Sequence, residues 1–209
     1  MEQVRTTQAP GARSRDAELL LFAANFLRDP YMLGSIIPSS RHLVNAVLEP
    51  IDWERARVIV EYGPGVGTFT AEILRRMRND ARLIVIETNQ EFVQFIGSAF
   101  PDSRLIVEHD SAENVQRILR RHMLARPDYI ISGIPLGSMP KSLQAQIALA
   151  SRDALQADGR FLVYQFTSRV LPVLRQAFQD VKRGFELRNF PPGQVFVCSP
   201  SSTADTTRF

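Results

Sequence analysis

The chain has one cysteine, Cys198, in 209 residues, so it can form no internal disulfide and no cysteine-built metal cluster. That usage is expected of a reducing compartment. Lysine is almost absent: Lys141 and Lys182 are the only two, and arginine supplies the other cations. Arginine grips phosphate as a planar fork, but a GC-rich genome gives the same bias, so the bias selects no ligand by itself. The three histidines, His42, His109 and His122, are scattered, and no metal is expected. No apolar run approaches the roughly 20 residues a membrane-spanning helix needs. The opening "MEQVRTTQAPGARSRD" lacks the apolar stretch of a secretory signal. Internal repeats, low-complexity tracts and an inter-domain linker are also missing.

What is present fits one soluble domain. Apolar residues make up 44% of the chain, enough for a large core, and the formal net charge is +3. The pI near 9.4 is mildly basic, which a solvated surface explains and an anionic partner would exploit. Residues 1–30 read as a mobile lead followed by a helix from Ser14 to Pro30. That helix is either core-packing or an amphipathic membrane-interface helix. A domain over 31–200 and a frayed tail over 201–209 complete the division.

Within the domain, a helix capped by Ser39 or Ser40 runs to about Leu48. Five alternations of strand and helix follow, with strands at 57–62, 82–87, 104–109, 128–133 and 159–166. The helices fall at 68–78, 90–100, 112–123, 141–155 and 169–178. Two last strands, "FELRNF" and "QVFVCSP", are joined by "PPG" and should pair antiparallel at an edge. The first five strands are too apolar to face water. The fold class is therefore α/β: a mostly parallel sheet with helices on both faces.

The exit of the first strand, "VEYGPGVGTF", sets Gly63, Gly65 and Gly67 at alternate positions. In a doubly wound sheet, ligands bind at the strands' carboxyl ends, where bare backbone allows close approach. The dinucleotide pattern G-x-G-x-x-G is absent, since its third glycine would fall on Thr68 or Thr70. The pattern present is acidic-x-G-x-G-x-G from Glu61, which suits a ligand bearing an amine. Glu87 ends the second strand, where a carboxylate commonly takes ribose hydroxyls. Asp110, after the third strand, could accept from an adenine amine or could cap the next helix.

At these residues the chain resembles the class I S-adenosylmethionine-dependent methyltransferases, over roughly residues 30–198. The resemblance implies a Rossmann-like seven-stranded sheet in the order 3-2-1-4-5-7-6 with strand 7 antiparallel. It implies Glu61, Gly63, Gly65 and Gly67 at the methionine end, Glu87 and Thr88 at the ribose, and Asp110 and Ser111 at adenine. S-adenosylhomocysteine would be the product. More narrowly, "FLRDPYMLGSIIPSSRHL", "VEYGPGVGTFT", "IETNQEFV", "SGIPLGSMP", "FLVYQFT" and "RNFPPGQVF" together resemble the bacterial phospholipid N-methyltransferases that act on phosphatidylethanolamine. That family is similar in turn to the rRNA adenine dimethylases, whose fourth-strand motif is N-[IL]-P-[YF]. Here Gly133-Ile134-Pro135-Leu136 stands instead, without the Asn and aromatic that hold a flipped base.

The expected activity is N-methylation of the phosphatidylethanolamine amine, in one or more steps toward phosphatidylcholine. Adenine methylation of RNA ranks below it. A lipid-binding protein without turnover is the reading from another class. The loop Gly133, Ile134 and Pro135 is expected to turn carbonyls toward the acceptor, because proline cannot donate. Tyr31 and Tyr164 are candidates to face the headgroup, since an aromatic face attracts a methylated ammonium. Arg169 and Arg188 are candidates for the lipid phosphate, against a reading as solvated surface residues. No general base is identifiable. A lipid substrate gives the N-terminal helix a purpose: reversible attachment to an anionic membrane surface, on the cytoplasmic side of the cell membrane.

Overall fold

Strands that are apolar on both faces need cover on both. The computed structural model describes residues 40–189 and 191–201 and shows how the cover is supplied. The elements are α1 (Arg41–Leu48), β1 (Val58–Tyr62), α2 (Thr68–Arg76), β2 (Arg82–Glu87), α3 (Gln90–Ala99), β3 (Leu105–His109), α4 (Val115–Arg121), β4 (Tyr129–Ser132), α5 (Lys141–Ala154), β5 (Arg160–Gln165), α6 (Leu171–Ala177), β6 (Asp180–Glu186) and β7 (Gly193–Ser199). The sheet order is β3-β2-β1-β4-β5-β7-β6. β7 is antiparallel to β5 and β6, and the other neighbours are parallel.

Period-two alternation divides the core between the faces. Val60, Ile84, Ile130 and Phe161 point to one side and pack with Val115 and Ile118 of α4, Ile147 of α5 and Leu174 of α6. Ile59, Leu83, Ile131 and Leu162 point to the other and pack with Leu43 and Val47 of α1, Ile73 of α2 and Ile96 of α3. Ser40 caps α1 through its side chain, which accepts from Leu43 N–H at 3.2 Å. Asn89 caps α3 by accepting from Glu91 N–H at 2.8 Å. Each cap satisfies an orphan donor of its helix's first turn.

Three expected elements differ. The expected helix over 112–123 opens as a 3-10 turn, Ala112–Asn114, before α4. α6 is shorter than 169–178. The expected strand 185–190 is displaced: β6 spans Asp180–Glu186, paired from Asp180↔Ser199 to Glu186↔Gly193. The physical reason is that β6 is an edge strand whose middle is exposed. "DVKRGFE" carries no apolar alternation, so its strand state comes from the β7 ladder. Residues 1–30, Tyr31 and the tail beyond Ser201 lie outside the described residues.

Because β1, β2, β4 and β5 are parallel, their carboxyl ends share one edge of the sheet. β6, parallel to β5 through β7, ends there too. Everything that could form a site at the topological switch is delivered to that edge.

Candidate active site

Gly63 and Gly65 hold φ of +64° and +54° at the exit of β1. Gly63 N–H donates to Ile86 O at 3.0 Å, tying the loop to β2. A Cβ on Gly63 would lie 2.5 Å from Ile134 Cγ2, so a side chain there would push apart the loops after β1 and β4. Gly67 serves packing instead: its Cβ would meet Phe100 and Ile96 at 2.5 and 2.8 Å, where α2 starts against α3. The two loops wall a cavity of about 380 Å³. Gly63, Gly65, Gly133, Ile134, Pro135 and Met139 line one part; Glu87, Thr88, Asn89 and Phe92 line the other. A second hollow of about 390 Å³ between α1 and α2 is arginine-rich, but Glu72 already engages its Arg75 and Arg76.

Glu87 is the sole ionisable side chain among the described residues lining the glycine-walled cavity. Its Oε1 accepts from Asn89 N–H at 2.8 Å and from the Thr88 hydroxyl at 3.4 Å. Burial raises its pKa despite those donors and the neighbouring His109. Glu61 stands behind the loop, 2% exposed, and accepts the Thr70 hydroxyl at 2.7 Å. Burial lifts its pKa to about 7, with the Thr70 hydroxyl opposing and the Glu87 charge adding. Two carboxyl groups without a lysine or arginine partner among the described residues thus sit near the ends of β1 and β2, a pattern common at functional sites.

Asp110 is differently placed. It does not line the cavity, and both its oxygens are engaged. Oδ1 accepts from Ser111 N–H at 2.8 Å and Asn114 Nδ2 at 2.9 Å; Oδ2 accepts from Arg117 at 2.7 Å. Burial works to raise its pKa, but these donors and the Arg117 and Arg121 charges outweigh it and hold it low. Ser111 turns its hydroxyl to Glu113.

On the acceptor side, Tyr164 meets Gly133. The phenol stacks on Phe69, with centroids 4.8 Å apart and an interplanar angle of 19°. A Cβ on Gly133 would lie 2.5 Å from Tyr164 Oη and 3.1 Å from Gly63 O. The position admits no side chain while Tyr164 is there. The carbonyls of Ile134 and Pro135, expected to face an acceptor, are occupied. Ile134 O accepts from Leu136 N–H at 2.7 Å and Gln165 Nε2 at 2.8 Å. Pro135 O accepts from the Ser138 amide at 3.0 Å and the Ser138 hydroxyl at 2.8 Å. The correction has a simple cause: a tight turn satisfies its own acceptors first.

Arg169 is exposed beside the Leu136–Ser138 turn, its Cβ 3.2 Å from where a Cβ on Gly137 would stand. Arg188 is held by Glu186, with Nε to Oε1 at 3.0 Å and Nη2 to Oε2 at 3.1 Å. Tyr31 lies outside the described residues. His109 Nε2 is 2.9 Å from Thr88 O, and His122 contacts Glu108. Neither histidine lines the cavity.

Sequence reasoning missed Gln165. It is 7% exposed, and its amide grips the loop twice: Nε2 on Ile134 O, and Oε1 taking Gly137 N–H at 3.3 Å. A lone amide at the carboxyl end of an apolar strand was the available signal. Asn89, Phe92 and Met139 were missed as cavity wall. Ser132 Oγ, buried one residue before Gly133, has no hydrogen-bond partner among the described residues.

No family model matches the chain. Among solved structures, the 1,6-didemethyltoxoflavin-N1-methyltransferase of Burkholderia thailandensis, with bound S-adenosylhomocysteine, superposes with a TM-score of 0.60 at 16% identity, covering 92% of each chain. The precorrin-6y C5,15-methyltransferase of Geobacter metallireducens gives 0.60 at 15%, covering 77% of this chain and 89% of that one. At these identities the likeness is one of fold. Sheet order and glycine-walled cavity together define a class I methyltransferase, with S-adenosylmethionine as its cofactor. The cavity suits that group: backbone is bare at Gly63, Gly65 and Gly133, one carboxylate stands at its wall, and no cation among the described lining residues awaits a pyrophosphate.

An ornithine lipid N-methyltransferase of Singulisphaera acidiphila is 30% identical over 189 residues, 87% of this chain and 95% of that protein. The chain belongs to this family of lipid N-methyltransferases. A ribosomal RNA small subunit methyltransferase A of Mycoplasma mycoides is also 30% identical, but over 107 residues, 49% of this chain and 38% of that protein.

Proposed function

We propose that this chain transfers a methyl group from S-adenosylmethionine to the primary amine of a lipid headgroup, with phosphatidylethanolamine as the acceptor. One observation carries the choice of a small amine over an adenine. At the position where the adenine dimethylases hold the base with Asn, Gly133 admits no side chain, because Tyr164 Oη occupies the space. Leu136, at the place of their aromatic, is fully buried and offers no face for stacking. A site built this way has room for a slender amine and lacks the groups that would grip a purine.

When bound, S-adenosylmethionine supplies a methyl on a cationic sulfur. The chain's residues do the rest. The loop after β1 takes the methionine end, with Glu61 behind it. Glu87 and Thr88 accept and position the ribose hydroxyls, Phe92 packs on the adenine face, and Asp110 with Ser111 closes the adenine end. Ile134, Pro135 and Met139 keep water from the transfer path. Tyr164 orients the incoming amine, and Tyr31 is assigned as a second aromatic contact for it. The amine must shed a proton before it attacks. Glu87, the sole ionisable side chain among the described lining residues, is assigned to the ribose, so desolvation lowers the amine's own pKa and its proton leaves to solvent. Arg169 is the phosphate contact, and Arg188 joins it only by leaving Glu186.

The ornithine lipid is a second reading, favoured by the Singulisphaera relative. Both headgroups end in a primary amine. Labelled S-adenosylmethionine offered with phosphatidylethanolamine vesicles, ornithine lipid vesicles or small-subunit ribosomal RNA separates the readings. Label in the ethanolamine lipid is expected; label in the ornithine lipid alone transfers the assignment, and label in RNA alone overturns it. Binding to vesicles with no cofactor affinity would identify a protein without turnover. Attachment through residues 1–30, on the cytoplasmic face of the membrane, belongs to the same proposal. Deleting residues 1–27 should reduce flotation with anionic vesicles, and unchanged flotation removes that role.

A further inference from the structure

The outermost strand carries an uncovered apolar strip at the same edge of the sheet as the cavity. Along β6 the cover runs out. Val181 packs against the core, whereas Phe185, on the same face of the strand, is 59% exposed. Leu187, in the turn that follows, is 75% exposed. The exposed charges around them are positive. Lys182, Arg183 and Arg188 face solvent, and the Arg183 guanidinium lies 4.5 Å over the Phe185 ring. The acid within the strip, Glu186, is buried and bound by Arg188. Asp180 is half-buried at the far end of the strand.

Two large apolar tips among cations suit an interface that is apolar below and anionic above. The tips enter the boundary of the acyl chains, and the cations stay among the headgroups. A second copy pairing on the β6 edge would bring Lys182 and Arg183 against their own counterparts, a like-charge contact that disfavours strand addition. We propose that β6 and its turn dock on an anionic lipid surface, as a contact separate from any made by residues 1–30. Resting on the lipid reading above, this contact brings the cavity's edge of the sheet to the bilayer that holds the substrate.

The test uses the full chain and two variants, Phe185→Ser/Leu187→Ser and Lys182→Glu/Arg183→Glu. Partitioning is measured on phosphatidylglycerol–phosphatidylcholine vesicles and on phosphatidylcholine alone. The serine pair should weaken partitioning to anionic vesicles about tenfold or more. The charge reversal should cost about fivefold per residue or more and flatten the dependence on the anionic fraction. Both variants should keep the parent's melting temperature and its turnover of a water-soluble short-chain amine lipid, while KM on vesicles rises. Partitioning like the parent's in both variants overturns the proposal. So does loss of a dimer in the serine variant with partitioning unchanged, which assigns the strip to a second copy. Strip-dependent partitioning without transfer to any lipid amine would sink the enzymatic reading and spare the docking; transfer with strip-independent partitioning would do the reverse.

Discussion

The two halves of the sheet bring similar loops to one edge but treat their polar groups in opposite ways. On the β1–β2 side, Glu61 is buried and Glu87 half-buried, neither is paired with a lysine or arginine among the described residues, and desolvation raises both pKa values. On the β4–β5–β6 side, the polar groups of the loops are closed, although Ser132 Oγ at the end of β4 has no partner among the described residues. Gln165 holds the loop after β4, Ser138 fills Pro135 O, and Glu186 has its pKa lowered by hydrogen bonds from Arg188. An unneutralised carboxylate in a protein costs stability unless a ligand answers it. The open half is therefore where we propose that a ligand with hydroxyls and an amine is met, with the closed half as the wall against which a second, smaller group is positioned. Asp110 follows the second rule although it lies beyond β3 in the first half. Its three donors make it a local cap.

The comparison breaks most visibly if the open half tolerates a side chain. Gly63→Ala must adopt φ near +64° and place a Cβ 2.5 Å from Ile134 Cγ2. The left-handed conformation alone costs about 1–2 kcal/mol. Calorimetry should show cofactor affinity reduced on the order of a hundredfold or more, and an affinity close to the parent's would show that the loop does not cradle the ligand.

Glu61 gives the next largest effect, and its sign can be worked out. It ionises near 4.5 in the unfolded chain and near 7 in the folded one. Below the lower value both states hold the proton, and burial costs nothing extra. Between the two values only the unfolded state sheds it, so stability falls as pH rises. Above the upper value the loss is complete, on the order of 3 kcal/mol. Glu61→Gln keeps a partner for Thr70 and removes the titration. Urea unfolding at about pH 5 and about pH 8 should show the variant gaining on the parent at the higher pH. Parallel pH dependence in the two proteins would mean the carboxyl is not held protonated.

Glu87→Ala should weaken S-adenosylmethionine binding about ten- to a hundredfold, the worth of charge-assisted bonds to hydroxyls. Binding unchanged in that variant would remove the carboxylate from the cofactor's contacts. The smallest effect lies in the closed half. Gly133→Ala and Tyr164→Phe should each lower turnover of the lipid amine, and the double variant should lose less than the sum. The phenol oxygen 2.5 Å from the new Cβ is the first clash relieved. A coupling of about 1 kcal/mol is expected from a double-mutant cycle, and strict additivity would separate the two residues.

Much of the open half was legible in the sequence. The alternate glycines, Glu61 and Glu87 lie in local patterns: an apolar strand, a turn that needs positive φ, a carboxylate at the next strand's end. The acceptor wall was legible in part. "SGIPLG" stood out, but two of its carbonyls expected to face outward, those of Ile134 and Pro135, are taken by Leu136, Gln165 and Ser138. Arg188 read as a possible phosphate clamp, yet its partner is Glu186, two residues away.

By itself the sequence determined the alternation of elements, the parallel sheet and the edge where a ligand could reach bare backbone. Those follow from short-range physics, in which period, cap and turn preferences act within a few residues. Only tertiary structure decided that Tyr164 excludes a side chain at residue 133, that Gln165 fastens the loop at Ile134, and that β6 begins at Asp180. Each depends on the register of strands that meet through hydrogen-bonded ladders, and no local pattern encodes which distant residue will stand opposite.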